Sequence, residues 1–208
     1  MVSTLKVNKI QIPNSDSDVL SFNSSTGNMT IATGKTLSGA LGDVTIATGK
    51  TLSGAAGSII APGQVIQTVV SQFNTPTSIA TASFTSTGHS VTITPKFATS
   101  KILLTCFGGH AWNGNNSNKV RCFTIYRGST DLGHGTGGLW THYCNAYNAQ
   151  PHAGSVLDSP NTTSSTTYTT YFRGQDTSTQ WYTVDIGGGG AGSSNVPTVT
   201  LTAMEIAQ

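Results

Sequence analysis

From residue 64 onward, apolar and polar side chains trade places at every second position. Val91 and Ile93 alternate with Thr92 and Thr94, and Tyr182, Val184 and Ile186 alternate with Trp181, Thr183 and Asp185. A period of two sets one face of a strand against a core and the other toward water. The pattern predicts strands over 64–73, 79–85, 89–95, 101–109, 120–127, 153–158, 166–173, 180–186 and 198–207. The last of these breaks the rule: Val199 and Leu201 share one phase, Met204 and Ile206 the other. Either a bulge near Ala203 resets the phase, or both faces are buried in a contact between subunits. About nine short strands joined by Gly-rich turns imply an all-β domain, a β-sandwich or jelly roll.

The chain before residue 61 is patterned differently. Residues 29–42 read MTIATGKTLSGALG and residues 44–57 read VTIATGKTLSGAAG, a 15-residue repeat in which TIATGKTLSGA is identical. Each copy holds a short strand, a Thr-Gly-Lys turn, one further apolar residue and a Ser-Gly corner. A unit with about three large apolar side chains cannot close a core alone. Three copies around an axis can, with Ile31, Leu37, Ile46 and Leu52 turned inward and Gly permitting the tight corners. The alternative is a flexible Gly/Ser linker, against which the regular apolar spacing argues. Ahead of the repeats, Leu5, Val7, Ile10 and Ile12 predict one strand and Val19, Leu20 and Phe22 another. The reading is an attachment segment over 1–28, an intertwined trimeric β-repeat stalk over 29–60 and a head over 61–208, with Ala61-Pro62-Gly63 at the boundary.

Composition narrows the classes. Charged residues make up 9% of the 208 residues, against about 25% in ordinary domains. Glu205 is the one glutamate, and the chain is poor in the residues that build surface helices. A net charge of +2 without a basic cluster argues against nucleic acid. No apolar run approaches the ~20 residues of a membrane span, and the opening MVSTLK lacks the pattern of a secretory leader. Three cysteines, Cys106, Cys122 and Cys144, are expected as reduced thiols, in keeping with assembly in a cytoplasm. The Asn-x-Ser/Thr triplets at Asn23, Asn28, Asn115 and Asn161 then arise by chance.

Catalytic patterns are weak. Asp131, Asp158, Asp176, Asp185 and Glu205 fall in no motif that pairs two carboxylates as a glycosidase requires. There is no Gly-x-Ser-x-Gly elbow and no phosphate loop, and Gly187–Gly190 reads as a hairpin tip. The expectation is a non-enzymatic protein without cofactor. The segment from His134 to His152, HGTGGLWTHYCNAYNAQPH, is the most reactive in composition. On a strand His142 and Cys144 point to one side, but they match no zinc-ligand spacing. The expectation is no metal, on a loop-rich surface with a buried Cys and solvated imidazoles. Trp112, Trp140, Tyr143 and Tyr147 lie in or near Gly/Asn-rich stretches, and exposed aromatics beside Asn and His suit sugars. Candidate receptor contacts are Trp112, Asn113, His134, Trp140, His142 and Tyr143, with residues 187–194 as an adaptable rim. The alternative has Trp140 and Tyr143 packing between subunits.

The opening STLKVNKIQIPNSDSDVLSFN, the TIATGKTLSGA repeats, the PGQVIQTVV entry to the head and the closing TVTLTAMEIAQ together resemble fibre proteins of tailed bacteriophages, particularly those infecting cyanobacteria and other marine bacteria. This resemblance implies a homotrimeric virion component. Its N-terminal segment would contact other virion proteins and its head would meet a bacterial surface glycan. The architectural alternative is a decoration, cement, neck or head fibre without receptor binding. The resemblance carries over no catalytic or receptor residue.

Overall fold

A computed structural model describes residues 9–11, 18–22, 29–31, 60–74, 78–112, 119–144, 150–177, 180–182 and 198–208. The chain divides into two compact units, Met1–Ser53 and Gly54–Gln208. The described residues are all-β, with antiparallel sheets and no helix.

In the first unit, β1 (Lys9–Gln11), β2 (Asp18–Phe22) and β3 (Met29–Ile31) form one sheet in that order. The register sets Ile10 opposite Leu20, Leu20 opposite Ile31, and Phe22 opposite Met29. Apolar positions thus align across all three strands. β2 belongs to the predicted attachment segment and β3 to the predicted stalk, so this sheet crosses residue 28. Of the expected stalk core, Ile31 ends β3, while Leu37, Ile46 and Leu52 lie outside the described residues.

The second unit holds β4 (Val65–Phe73), β5 (Ser78–Ala80), β6 (Thr85–Ile93), β7 (Lys101–Trp112), β8 (Lys119–Arg127), β9 (Thr130–Asp131), β10 (Trp140–Cys144), β11 (Gln150–Asp158), β12 (Thr166–Gly174), β13 (Gln180–Tyr182) and β14 (Val199–Ile206). One sheet runs β4-β14-β7-β11, with β13 and β5 continuing beyond β14 along the upper part of β7. The other runs β10-β8-β12-β6, with β9 beside β8. Both sheets feed one core: Ile102, Leu104, Cys106, Val199, Leu201 and Ala203 from the first, Val91, Ile93, Phe123, Ile125 and Tyr168 from the second. Cys106 and Cys122 are buried free thiols, and burial pushes the Cys106 thiol up to about 12.

Several expectations are corrected in detail. The strand expected over 79–85 stops at Ala80, because Thr81 closes a turn by accepting the Ser83 N–H at 3.1 Å. The next strand begins at Thr85 rather than 89. Gly88, at φ 78°, lies inside it, where the register with β12 shifts, so it is a bulge and not a turn. The segment after Arg127 is less loop-like than its glycines suggest, since it contains β9, β10 and the start of β11. The predicted 180–186 strand is described only to Tyr182.

The phase conflict in the last strand has a different answer from a bulge at Ala203. The register of β14 with β7 is unbroken from Thr200 to Ile206. Its buried phase continues through Val199, Leu201, Ala203 and Glu205. Glu205 is fully buried as a carboxylate that accepts the Lys96 N–H at 2.7 Å, the Phe97 N–H at 3.2 Å and the Gln67 Nε2–H at 2.6 Å. Burial alone raises its pKa. The hydrogen bonds from Gln67, Ser100, Lys96 and Phe97 outweigh that and hold it below the ordinary value. Met204 and Ile206 therefore occupy the outer face.

Candidate functional site

The residues singled out from sequence fall on different sides of the sheets. β10 pairs with β8 so that Trp140 lies opposite Phe123 and His142 opposite Arg121. Phe123 is a core residue, and Trp140 packs against that core. Its ring stacks on His142 at 5.2 Å and 8° and meets His152 edge-on at 4.9 Å. His152 is buried and stacks on Phe123 at 5.2 Å. Burial, and then the Arg121 charge, hold the His142 pKa below the usual imidazole value. Trp140 and His142 thus form one ladder with His152 and Phe123, directed inward. His152 was expected as a solvated imidazole and is a core one.

Tyr143 and Thr141 alternate with them on the outer side, and Tyr143 is 60% exposed. His134 is exposed in the turn before β10. Its Nδ1 accepts the N–H groups of Thr136 and Gly137, each at 3.3 Å. That turn folds back over β8, where Gly138, at φ 67°, brings its backbone so close that a Cβ would sit 2.4 Å from the Phe123 carbonyl oxygen. Thr124 donates to Asp131 at 2.6 Å beneath the turn. Trp112 ends β7 in the other sheet, opposite Gln180. Asn113, Tyr147 and residues 187–194 lie outside the described residues, as does the side chain of Cys144. Among the described residues no group of three His, Cys, Asp or Glu converges as for a metal.

A second aromatic group lies on and beside strands rather than in the Gly/Asn-rich stretches. On the outer face of the β12 sheet, Tyr126 and Tyr171 stack at 4.0 Å and 26°, and Phe84 lies tilted against Tyr126 at 6.4 Å. The Arg173 guanidinium sits 5.5 Å above the Phe84 ring and donates through Nε to the Thr136 carbonyl at 2.8 Å. Burial raises the Tyr126 pKa, with the charges of Asp131 and Tyr171 adding to it. Around this group lie hydroxyls such as the Thr92–Thr167 pair, 2.8 Å apart. Alternation in TTYTTYFRG already separates Tyr171 and Arg173 from the inward Tyr168 and Phe172. What the chain alone does not show is that Tyr126 and Phe84 come to the same place.

The described carboxylates are each held by separate partners. Asp158 accepts from Arg127 at 2.7 and 2.8 Å and from the Tyr168 hydroxyl at 2.7 Å. Asp176 pairs with Lys119, Asp131 with Thr124 and the Gly133 N–H, and Glu205 with Gln67 and the 96–97 backbone.

No protein-family model and no curated protein sequence matches this chain. Among solved structures it is similar to the tripod (BppUct-A-L) from the baseplate of bacteriophage Tuc2009, with 17% identity, 88% of this chain and 82% of that one covered, and a TM-score of 0.28. It is also similar to infectious bursal disease virus Gx strain, with 12% identity and a TM-score of 0.30. That overlap takes in 76% of this chain and 41% of the other, so the chain spans less than half the length of that structure.

Proposed function

We propose that this chain is a non-enzymatic structural protein of a phage virion, a homotrimeric fibre whose second unit presents a head to a host-surface glycan. The observation that carries the reading is the union, in one chain, of a 15-residue repeat too poor in apolar side chains to close its own core with a separate all-β unit. The strand order supports the head as a jelly roll. Counting β4, β6, β7, β8, β10, β11, β12 and β14 as eight main strands, the sheets run first-eighth-third-sixth and fifth-fourth-seventh-second. This is the winding of two Greek keys, a form found in capsid and lectin domains. Tyr143, His134 and the Tyr126–Tyr171 group supply aromatic and polar surface for neutral sugars.

The architectural reading, decoration or cement without a receptor, is favoured by the inward direction of Trp140 and His142, which removes two candidate contacts from the surface. A glycan array with the full chain separates the two readings. Binding that is lost in Tyr143→Ala and Tyr171→Ala supports the adhesin; a blank array supports decoration. Electron microscopy of intact particles with antibody to residues 61–208 tests the virion assignment itself, and unlabelled particles would refute it.

A further inference from the structure

We infer that the outer face of the β4-β14-β7-β11 sheet is the surface through which the heads of neighbouring copies of this chain pack together; the inference rests on the homotrimer reading above. The register builds the face row by row. Thr68, Met204, Leu103 and Leu157 lie side by side across four strands. The next row is Val70, Thr202, Thr105 and Ser155, and the next is Gln72, Thr200, Phe107 and Ala153. At the other end Val65 lies opposite Ile206, which lies opposite Lys101.

Solvent reaches this face at its largest apolar groups. Phe107 is 67% exposed, Val70 54% and Leu157 50%, with Val65 similarly open. Most of the exposed large hydrophobics among the described residues fall here. Exposed apolar groups gathered on one sheet face are a mark of an interaction surface. The charge pattern says what kind. In these rows Lys101 is the one charged residue, and the rest are aliphatic, aromatic, Thr, Ser, Gln and Ala. A neutral face carries no repulsion against a copy of itself and leaves almost no charge to desolvate.

Around a three-fold axis each face meets two neighbours, so one surface serves both contacts. Four strands about 4.8 Å apart and seven residues long cover a plan of roughly 400 Å² before corrugation by side chains, divided between those two contacts, so the face supplies part of the ~800 Å² per partner of a standard interface. The repeat sequence independently calls for association of copies of this chain. Met204 and Ile206, apolar at positions outside the monomer core, acquire a partner in the same step.

The test uses the intact chain. Light scattering reports its mass, and hydroxyl-radical footprinting reports the modification of each side chain relative to the same residue in the chain unfolded in guanidinium. The expected result is a mass three times 21.5 kDa, with Phe107 and Leu157 modified at least about fivefold more slowly than Tyr143, because packed interface centres exclude water. A trimer in which Phe107 reacts as readily as Tyr143 overturns this face and leaves the trimer standing. A monomer with Phe107 open overturns both. A monomer with Phe107 protected assigns the face to another segment of the same chain, and overturns the proposal. The Phe107→Glu, Leu157→Glu double variant serves as a second reading: slower-reacting neighbours such as Val70 should become as reactive as Tyr143 while the far-ultraviolet circular dichroism stays β-type.

Discussion

The two sheets of the second unit are alike on their inner faces and unlike on their outer ones. Inside, both present buried residues at every second position and meet in one core. Outside, the β14 sheet shows Val70, Phe107, Leu157, Leu103 and Met204 among threonines. The β12 sheet shows tyrosines, Arg173, a threonine pair and a turn folded over β8. The lesson is that alternation specifies a core in both cases, while the leftover phase gives each sheet an outer surface of its own chemistry. Aliphatic leftover surface suits a dry contact between copies. Aromatic and hydroxyl-bearing leftover surface suits a wet, polar ligand.

The largest test of the inner-outer division lies on β10, in two residues of similar type. Trp140→Ala should destabilise by roughly 3 kcal/mol, since it empties a site against the core and removes the partner of His142 and His152. Tyr143→Ala, three positions on and outward, should change stability by less than about 0.5 kcal/mol. Urea melts followed by circular dichroism compare them. Equal losses would show that the division between faces is wrong for this strand.

Next is the carboxylate under the end of the β14 sheet. Glu205→Gln should cost about 2 kcal/mol by weakening charge-assisted bonds to the Lys96 and Phe97 N–H groups. Its pKa is lowered in the folded chain, so the group contributes stability above its unfolded pKa and loses it as pH falls through the folded one. The native chain should therefore lose stability through the acidic carboxylate range, and the variant should lose less there. Melting temperatures across that range decide it, and parallel curves would count against the assignment.

The β14-sheet outer face should respond to charge. Val70→Glu should weaken assembly by about 1–2 kcal/mol, the apolar burial it removes, and leave the fold intact. Sedimentation at falling concentration reads the shift, and an unaltered profile would exclude Val70 from the contact. The smallest effect belongs to the other face. Tyr171→Ala removes the stack on Tyr126 and should cost about 1 kcal/mol of stability. Measured sugar binding should fall more than stability does, and binding equal to that of the native chain would remove the tyrosine group from the adhesin reading.

Much of this was legible in the chain. Val91 and Ile93, Val199 and Leu201 disclosed their buried phase because a strand has a period of two and nothing else in the fold alters it. The all-β class followed from the same period and from the scarcity of helix-forming residues. Gly88 and Gly138 misled in opposite ways. The first reads as a turn and is a bulge; the second reads as loop and is the close approach that seats a turn over β8. Glycine reports that the backbone is unusual without saying which unusual conformation it takes.

The site residues were legible only in type. Aromatics beside His and Thr were visible at Trp140, His142 and Tyr143, but alternation does not say which of two phases faces the core until the register is known. One residue of register reverses every side chain, and it is the pairing of Trp140 with Phe123 that turned Trp140 inward. Likewise Phe84, Tyr126 and Tyr171 are far apart in the chain and meet because β12 lies between β6 and β8. Period, composition and repeat are local properties and were determined by the sequence itself. Which strands are neighbours, and so which leftover faces become continuous, depends on contacts distant along the chain, and only the tertiary structure decided it.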